Sequence, residues 1–304
     1  MKHISVLLNE SIDGLNIKPG DTIIDGTLGG AGHTLEIIKR FGSKVKLICL
    51  DLDKDAIERS KLLINKTDSN VIFENIGFQD LDKVLDGLEI KSVDKILLDL
   101  GLSSFQLEEG DRGFTFLKDE PLLMTMKKDL GSDDITAYSI VNTWSEETLA
   151  DIIFGFGEER HSRKIAKAIV NARLEKEVKT TFDLVEIIDK AVGKFYKGKK
   201  IHPSTRTFQA LRIATNSELS NLEQVIQKGF KYLSKGGRMA IITFHSLEDR
   251  IVKKAFIELK EKDEALVITK KPIIPTDEEI KLNPRSRSSK LRIIEKIIWQ
   301  KQKK

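Results

Sequence analysis

Short apolar runs alternate with amphipathic segments along the first third of the chain. Thr22 to Asp25, Val45 to Asp51, Asn70 to Phe73 and Val93 to Leu98 have strand length, and segments such as Lys54 to Asn65 between them space their apolar residues as a helix does. Continuous apolar strands separated by helices predict βαβ units in a parallel sheet covered on both faces. After about residue 110 the strand-like runs stop, and Ser145 to Phe154, Ser162 to Leu174 and Phe182 to Ala191 carry helical periodicity. Strands return at Arg238 to Thr243, Ala265 to Ile268 and Leu291 to Ile294, the last two as an antiparallel edge pair. The pattern predicts one open α/β sheet interrupted by a helical insertion, with no internal repeat.

Composition narrows the class. The 304 residues are 40% apolar and 32% charged with only 6 prolines, which suits a globular protein of two domains or one large domain with an insertion. The single cysteine, Cys49, lies in the apolar run Leu47 to Leu50, so no intramolecular disulfide or Cys-pair zinc site is expected and a reducing, cytoplasmic setting is. The N-terminal apolar stretch is too short for a signal peptide and no stretch approaches a membrane span, which predicts a protein neither exported nor embedded. The five histidines form no ligand-spaced motif, so no metal is expected. Net charge is +4, yet Asn283 to Lys304 holds eight Lys or Arg against one Glu. That basic tail suits a polyanion such as RNA or an acidic lipid surface, and a solvated surface strand reads the same way on charge alone.

Candidate chemistry begins where the first predicted strand ends. Asp25-Gly26-Thr27-Leu28-Gly29-Gly30-Ala31-Gly32-His33 opens a helix, and four glycines in seven residues allow a ligand to pass close to the backbone. Asp51, 26 residues after Asp25 at the end of the second strand, is placed to take both hydroxyls of a ribose. An acid at the head of the glycine turn would repel the pyrophosphate of NAD and suits a cationic nucleoside, which points to S-adenosylmethionine. A strand-end carboxylate capping backbone amides is the alternative for Asp25. The fourth strand ends in Asp99, followed by Ser103, Ser104 and Gln106 at the expected switch point of strand order. These polar groups could hold an exocyclic amino group in line with a sulfonium methyl, or the serines could simply turn the chain.

Seven motifs in one order then carry a resemblance along the whole chain. They are Asp25-Gly26-Thr27 with Gly30-Ala31-Gly32-His33, Leu98 to Ser104, Asp111-Arg112-Gly113-Phe114, Gly157-Glu158-Glu159-Arg160, His202 to Arg212, Phe244 to Arg250, and Asn283 to Ser288. Through them the sequence resembles the bacterial 16S ribosomal RNA cytosine-N4 methyltransferases. The resemblance implies a class I, Rossmann-like S-adenosylmethionine-dependent fold with an inserted all-helical domain, acting on a cytidine of the decoding region in the small ribosomal subunit. It also implies cofactor contacts at Gly30, Ala31, Gly32, His33, Asp51, Phe78, Asp99 and Gln106. On this reading residues 1–108 and 213–304 form the methyltransferase domain and residues 109–212 the inserted substrate-recognition domain. Two departures stand out: Pro121-Leu122-Leu123-Met124-Thr125-Met126-Lys127 lacks two acids and an arginine usual in the family, and Phe105 replaces a usual proline.

The RNA-facing candidates are mostly in the insertion. Arg160, Arg163, Lys164 and Lys167 fall at helical spacing opposite Ile165, Ala168, Ile169 and Ala172, where a basic stripe can track phosphates or merely be a solvated face. Arg206 and Arg212, with Phe208 between them, and Arg285 with Arg287 are candidates for phosphate contact and base stacking. Ser246 with Asp249 reads as an N-cap pair starting a helix over Leu247 to Leu259, which would leave His245 free to face the substrate base. Candidate catalytic residues are therefore Asp99, Ser103, Ser104 and His245, with direct methyl transfer and no cysteine intermediate, Cys49 lying within a strand. An NAD-dependent oxidoreductase, a noncatalytic RNA-binding or ribosome-assembly protein, and a methyltransferase of another acceptor are the rival readings. The oligomeric state, a homodimer included, is left open.

Overall fold

The computed structural model describes residues 4–102, 104–108 and 111–297 of the chain. The chain forms two compact units, residues 1–101 with 219–304 and residues 102–218. The boundaries drawn from sequence fall elsewhere: 108 is the last residue of one helix, and a cut at 212/213 would pass through another, Thr205–Asn216.

The first unit begins α1 (Leu8–Leu15), β1 (Thr22–Asp25), α2 (Gly32–Phe41), β2 (Lys46–Leu50), α3 (Lys54–Ile64), β3 (Asn70–Glu74), α4 (Leu81–Gly87) and β4 (Val93–Asp99). The second unit then contributes α5 (Ser104–Glu108), α6 (Ala137–Thr143), α7 (Glu146–Gly155), α8 (Ser162–Glu175), α9 (Thr181–Val192) and α10 (Thr205–Asn216). The chain resumes with α11 (Glu218–Tyr232), whose first residue still counts with the helical unit, and continues through β5 (Leu233–Thr243), α12 (Ser246–Glu261), β6 (Ala265–Val267), α13 (Asp277–Leu282) and β7 (Lys290–Lys296).

The strands form one seven-stranded sheet in the order β3-β2-β1-β4-β5-β7-β6. The first five are parallel, and β7 runs antiparallel to both β5 and β6. The antiparallel pair read from sequence is present, with β7 inserted inside the edge. Strand β5 starts at Leu233, five residues before the expected Arg238, because Leu233 still pairs with Val93 across an irregularity that the Ser-Lys-Gly-Gly sequence produces. Alternation along each strand sends side chains to two cores. Ile24, Ile48, Ile96, Leu98 and Ile241 meet α4, α11 and α12 on one face. Ile23, Leu47, Cys49, Leu97 and Ile242 meet α1, α2 and α3 on the other. Both faces are covered, so the strands are apolar throughout, the arrangement of a doubly wound, Rossmann-like sheet.

The helical unit has its own core, in which Leu149, Ile153, Ile165, Ile169, Leu184 and Leu211 are fully buried. On α8 the buried face is Ile165, Ala166 and Ile169, with Ala168 and Ala172 only half-buried at its border. Ser145, Thr136 and Thr180 cap α7, α6 and α9, each accepting from the backbone amide three residues on. Among the described residues no helix is long and apolar enough to cross a membrane.

One local reading is corrected. The cap of α12 is His245, not Ser246: its ring nitrogen accepts from the Glu248 amide, and the Glu248 carboxylate accepts from the amides of Phe244 at 2.8 Å and His245 at 3.3 Å. The helix therefore starts one residue early and the imidazole is engaged in the cap. The reciprocal bonds keep the buried Glu248 at the strand end, while Asp249 turns aside to Arg292 and Lys290. Replacing His245 by Ala is expected to lower stability by about 1 kcal/mol through loss of the cap. Truncating Phe256, buried between α12 and the sheet, to Ala is expected to cost about 3–5 kcal/mol. Urea unfolding of both variants checks the ranking.

Candidate active site at the carboxyl edge of the sheet

The carboxyl ends of β1, β2, β4 and β5 bring Asp25, Asp51, Asp99 and the Phe244-His245 pair to one edge of the sheet, held there by the strand register. The turn after β1 is tied on every side. Gly26 donates to the carbonyl of Leu97, and a side chain there would run into Leu98 and Phe78, so only glycine lets the turn lie against β4. Asp25 is buried and faces into its own turn, accepting from the Thr27 amide at 3.2 Å and the Thr34 hydroxyl at 2.7 Å. It has the capping role, and burial raises its pKa despite these two bonds.

Asp51 is fixed by two amides, Gly29 on one oxygen and Asp53 on the other, each at 2.8 Å. Burial pushes it up to about 6, against the pull of those bonds and with help from Asp53 and Asp25. Each oxygen keeps a lone pair for a further donor. Asp53 itself is buried and caps α3.

Among the described residues no amide donates to the Asp99 carboxylate; its own backbone N–H donates to the Thr27 hydroxyl at 2.6 Å. Its Oδ2 stands 3.8 Å from Nδ1 of His33, and its buried Oδ1 has no hydrogen-bond partner among the described residues. Desolvation, then the charges of Asp25 and Glu248, raises the pKa of Asp99 well above its ordinary value. His33 places Nε2 3.2 Å from the carbonyl of Val6. A carbonyl only accepts, so Nε2 donates to it, and Nδ1 faces Asp99.

Gly30, Ala31 and Gly32 form the end of the turn, with Ala31 in the left-handed region at φ 58° as the residue before α2. Phe78 is half-buried and packs on the core as well as under the glycine turn. Cys49 is fully buried, and burial followed by the Asp25 charge pushes its thiol up, so it is chemically silent. Glu248 and Thr27 were not singled out from sequence. The His-x-x-Glu spacing was the available signal for Glu248; Thr27 had none beyond its place in the turn.

The remaining candidates are in the second unit or at the chain's end. Gln106 is buried in α5; Ser104 begins that helix, and Ser103 lies outside the described residues. Arg160, Arg163, Lys164 and Lys167 are all exposed. Phe208 is core, packed edge-on against Phe116, and offers no face to a base. Arg212 makes a bidentate pair with Glu218, both bonds 2.8 Å, which occupies the fork expected to bind phosphate. Arg206 is half-buried beside Tyr196, while Arg285 and Arg287 are exposed in a 3-10 turn. The departing segment 121–127 is held chiefly through its backbone: Arg112 donates to the carbonyl of Met126, and Asn216 bonds both Met124 and Met126. Thr125 is buried where the family tends to have arginine, and Lys127 pairs with Asp134.

The sequence matches the MraW methylase family over residues 1–297. It is 46% identical over 311 residues to a Clostridium botulinum (strain Kyoto / Type A2) protein named ribosomal RNA small subunit methyltransferase H, with 97% of this chain and 99% of that one covered. A Clostridioides difficile protein of the same name is 44% identical over 310 residues with the same coverage. A crystal structure of an rRNA methylase from Streptococcus thermophilus aligns over 97% of this chain and 99% of its own at 11% identity and a TM-score of 0.45, a likeness too slight to carry an argument. With the family matched along nearly its full length, and with the glycine turn and its acids assembled at one edge of the sheet, the chain belongs to the MraW methylase family.

Proposed function

We propose that the protein is an S-adenosylmethionine-dependent methyltransferase that places a methyl group on N4 of a cytidine in the decoding region of 16S ribosomal RNA. Family membership and the names of the relatives support the reaction class and the RNA substrate. The observation in the site that carries the reading is the cluster of desolvated acids around a glycine turn, with the buried Asp99 Oδ1 unpartnered among the described residues. Such a cluster suits a cationic nucleoside and disfavours a pyrophosphate. The NAD reading falls with it.

When bound, S-adenosylmethionine supplies an electrophilic methyl group on a cationic sulfur. Asp51 would take the ribose hydroxyls on its remaining lone pairs, Gly30, Ala31 and Gly32 would let the backbone approach, and the free face of Phe78 would meet adenine. Asp99, whose buried Oδ1 has no hydrogen-bond partner among the described residues, is placed to accept from a donor N–H. That lets it orient the cytosine amino group, whose lone pair is delocalised into the ring and must be turned toward the methyl. Ser103, Ser104 and Gln106 are assigned to positioning the base, His245 to holding Glu248 and the strand end, and Arg160, Arg163, Lys164, Lys167, Arg206, Arg285 and Arg287 to RNA phosphates. Arg212, already paired, is assigned to the helical unit's own structure. Residues 102–218 would be the substrate-recognition unit. The cytidine must be unpaired to reach such a site. In the departing segment 121–127 the tie to Asn216 runs through the backbone of Met124 and Met126, while Thr125, at a differing position, donates its hydroxyl to the carbonyl of Lys127.

Incubation with labelled S-adenosylmethionine and small subunits lacking the modification, followed by digestion to nucleosides and mass spectrometry, is expected to give N4-methylcytidine; label in another nucleoside, or none, sinks the proposal. Asp51→Asn is expected to weaken cofactor binding by roughly 10- to 100-fold in calorimetry, the loss of charge-assisted hydrogen bonds. Protonation of Asp51 removes the same charge, so wild-type affinity is expected to fall as the pH drops through about 6 while the Asn variant stays flat. Parallel pH profiles for the two proteins would remove Asp51 from the cofactor site.

A further inference from the structure

The helical unit carries a second set of cations beyond the stripe on α8. Residues 193–206 contain Lys194, Lys197, Lys199, Lys200 and Arg206 and no acid. The segment is built as a fixed platform. A 3-10 turn, Gly193–Tyr196, ends in a buried tyrosine whose hydroxyl donates to the buried Glu159, and Glu159 also accepts from the His161 amide at 2.8 Å. The Lys199 amide donates to the carbonyl of Tyr196 at 3.0 Å across a type II turn, with Lys197 at φ −55°, ψ 127° and Gly198 at φ 76°. Glycine is the residue that adopts this positive φ without strain.

The platform meets the α8 stripe at Phe195. His161 stacks on its ring with centroids 4.4 Å apart, and Nζ of Lys164 and of Lys194 lie 4.5 and 5.3 Å from its centroid. Arg160, Arg163, Lys164, Lys167, Lys194, Lys197, Lys199 and Lys200 are all exposed, and none makes an ion pair among the described residues. Elsewhere in this unit exposed lysines do pair, as Lys127, Lys176 and Lys190 show. Lys164 and Lys194 meet over Phe195 with no ion-pair partner of their own among the described residues, so they repel one another, and a polyanion relieves that repulsion while releasing its own counterions.

We infer that the turn of Lys194, Lys197, Lys199 and Lys200, joined to the α8 stripe through Phe195, is a phosphate-binding surface that tracks the backbone of the RNA substrate. The inference rests on the RNA reading above and adds residues that the family motifs do not contain. Phe195 gathers Lys164 and Lys194, and Tyr196 lies under Lys199; the contacts go to phosphate and so carry register and affinity without base preference.

The test is fluorescence anisotropy of a labelled decoding-region rRNA fragment across a salt series, with wild type, the quadruple variant Lys194→Gln/Lys197→Gln/Lys199→Gln/Lys200→Gln, and the control Lys253→Gln/Lys262→Gln on α12 and at its end. The quadruple variant is expected to lower the slope of log affinity against log salt by about 3, at about 0.7 per lost single-strand phosphate contact, while cofactor affinity is unchanged. The control is expected to leave the slope as in wild type. An unchanged slope in the quadruple variant, or an equal loss per charge in the control, overturns the inference. Methyl transfer is read separately: a wild type that binds RNA with this salt dependence yet methylates nothing removes the proposed reaction and leaves the surface standing.

Discussion

Asp25 has both carboxylate oxygens engaged inside its own turn, by the Thr27 amide and the Thr34 hydroxyl. The rest of the site depends on that buried anchor. It fixes the path of residues 26–31, and that path sends the Gly29 amide to Asp51 and the Thr27 hydroxyl to the amide of Asp99. One carboxylate thus sets the spacing of the ends of β1, β2 and β4 before any ligand is considered. The fully packed sheet beneath, with its two apolar cores, is what keeps the anchor dry.

The same burial has an electrostatic consequence. Asp25 adds its charge to the desolvation of Asp51, Asp99 and Cys49 and raises all three, and Glu248 acts on Asp99 from the β5 end. A site of this kind works against stability. The folded chain holds a proton on Asp51 that the unfolded chain has released, so this group's contribution to stability falls as the pH climbs from 3.8 to about 6. A cation bound among these acids would offset that penalty, which is the sense in which the cofactor and the fold suit each other.

The helical unit solves a different problem, presenting cations at its surface. Its aromatic residues divide by burial: Phe208 belongs to the core, while Phe195 lies under His161 and two lysines at the surface. Its arginines divide by partner: Arg212 is committed to Glu218, and Arg160 and Arg163 face solvent. Nothing in the spacing of either residue type distinguishes the two fates, because burial and pairing are set by residues distant in sequence.

Much of the fold was legible in the chain because strand and helix periodicity are local. All seven strands, the parallel-then-antiparallel order of the sheet and the helical interruption follow from apolar runs of the right length, and Asp51 and Asp99 from their place at strand ends. What the sequence could not determine were choices between near neighbours or between distant partners. Ser246 and His245 are equally placed to cap α12, and the buried Glu248 decides for His245. Asp25 could have faced a ligand or its own turn, and the hydroxyl of Thr34, brought round by the first turn of α2, decides for the turn. Phe195 comes to lie beside His161 and Lys164 at the start of α8 because its neighbour Tyr196 bonds Glu159. Sequence determined which chemistry is present at the strand ends; the tertiary structure decided which groups stay free to use it, since freedom depends on who else has been brought within hydrogen-bonding distance.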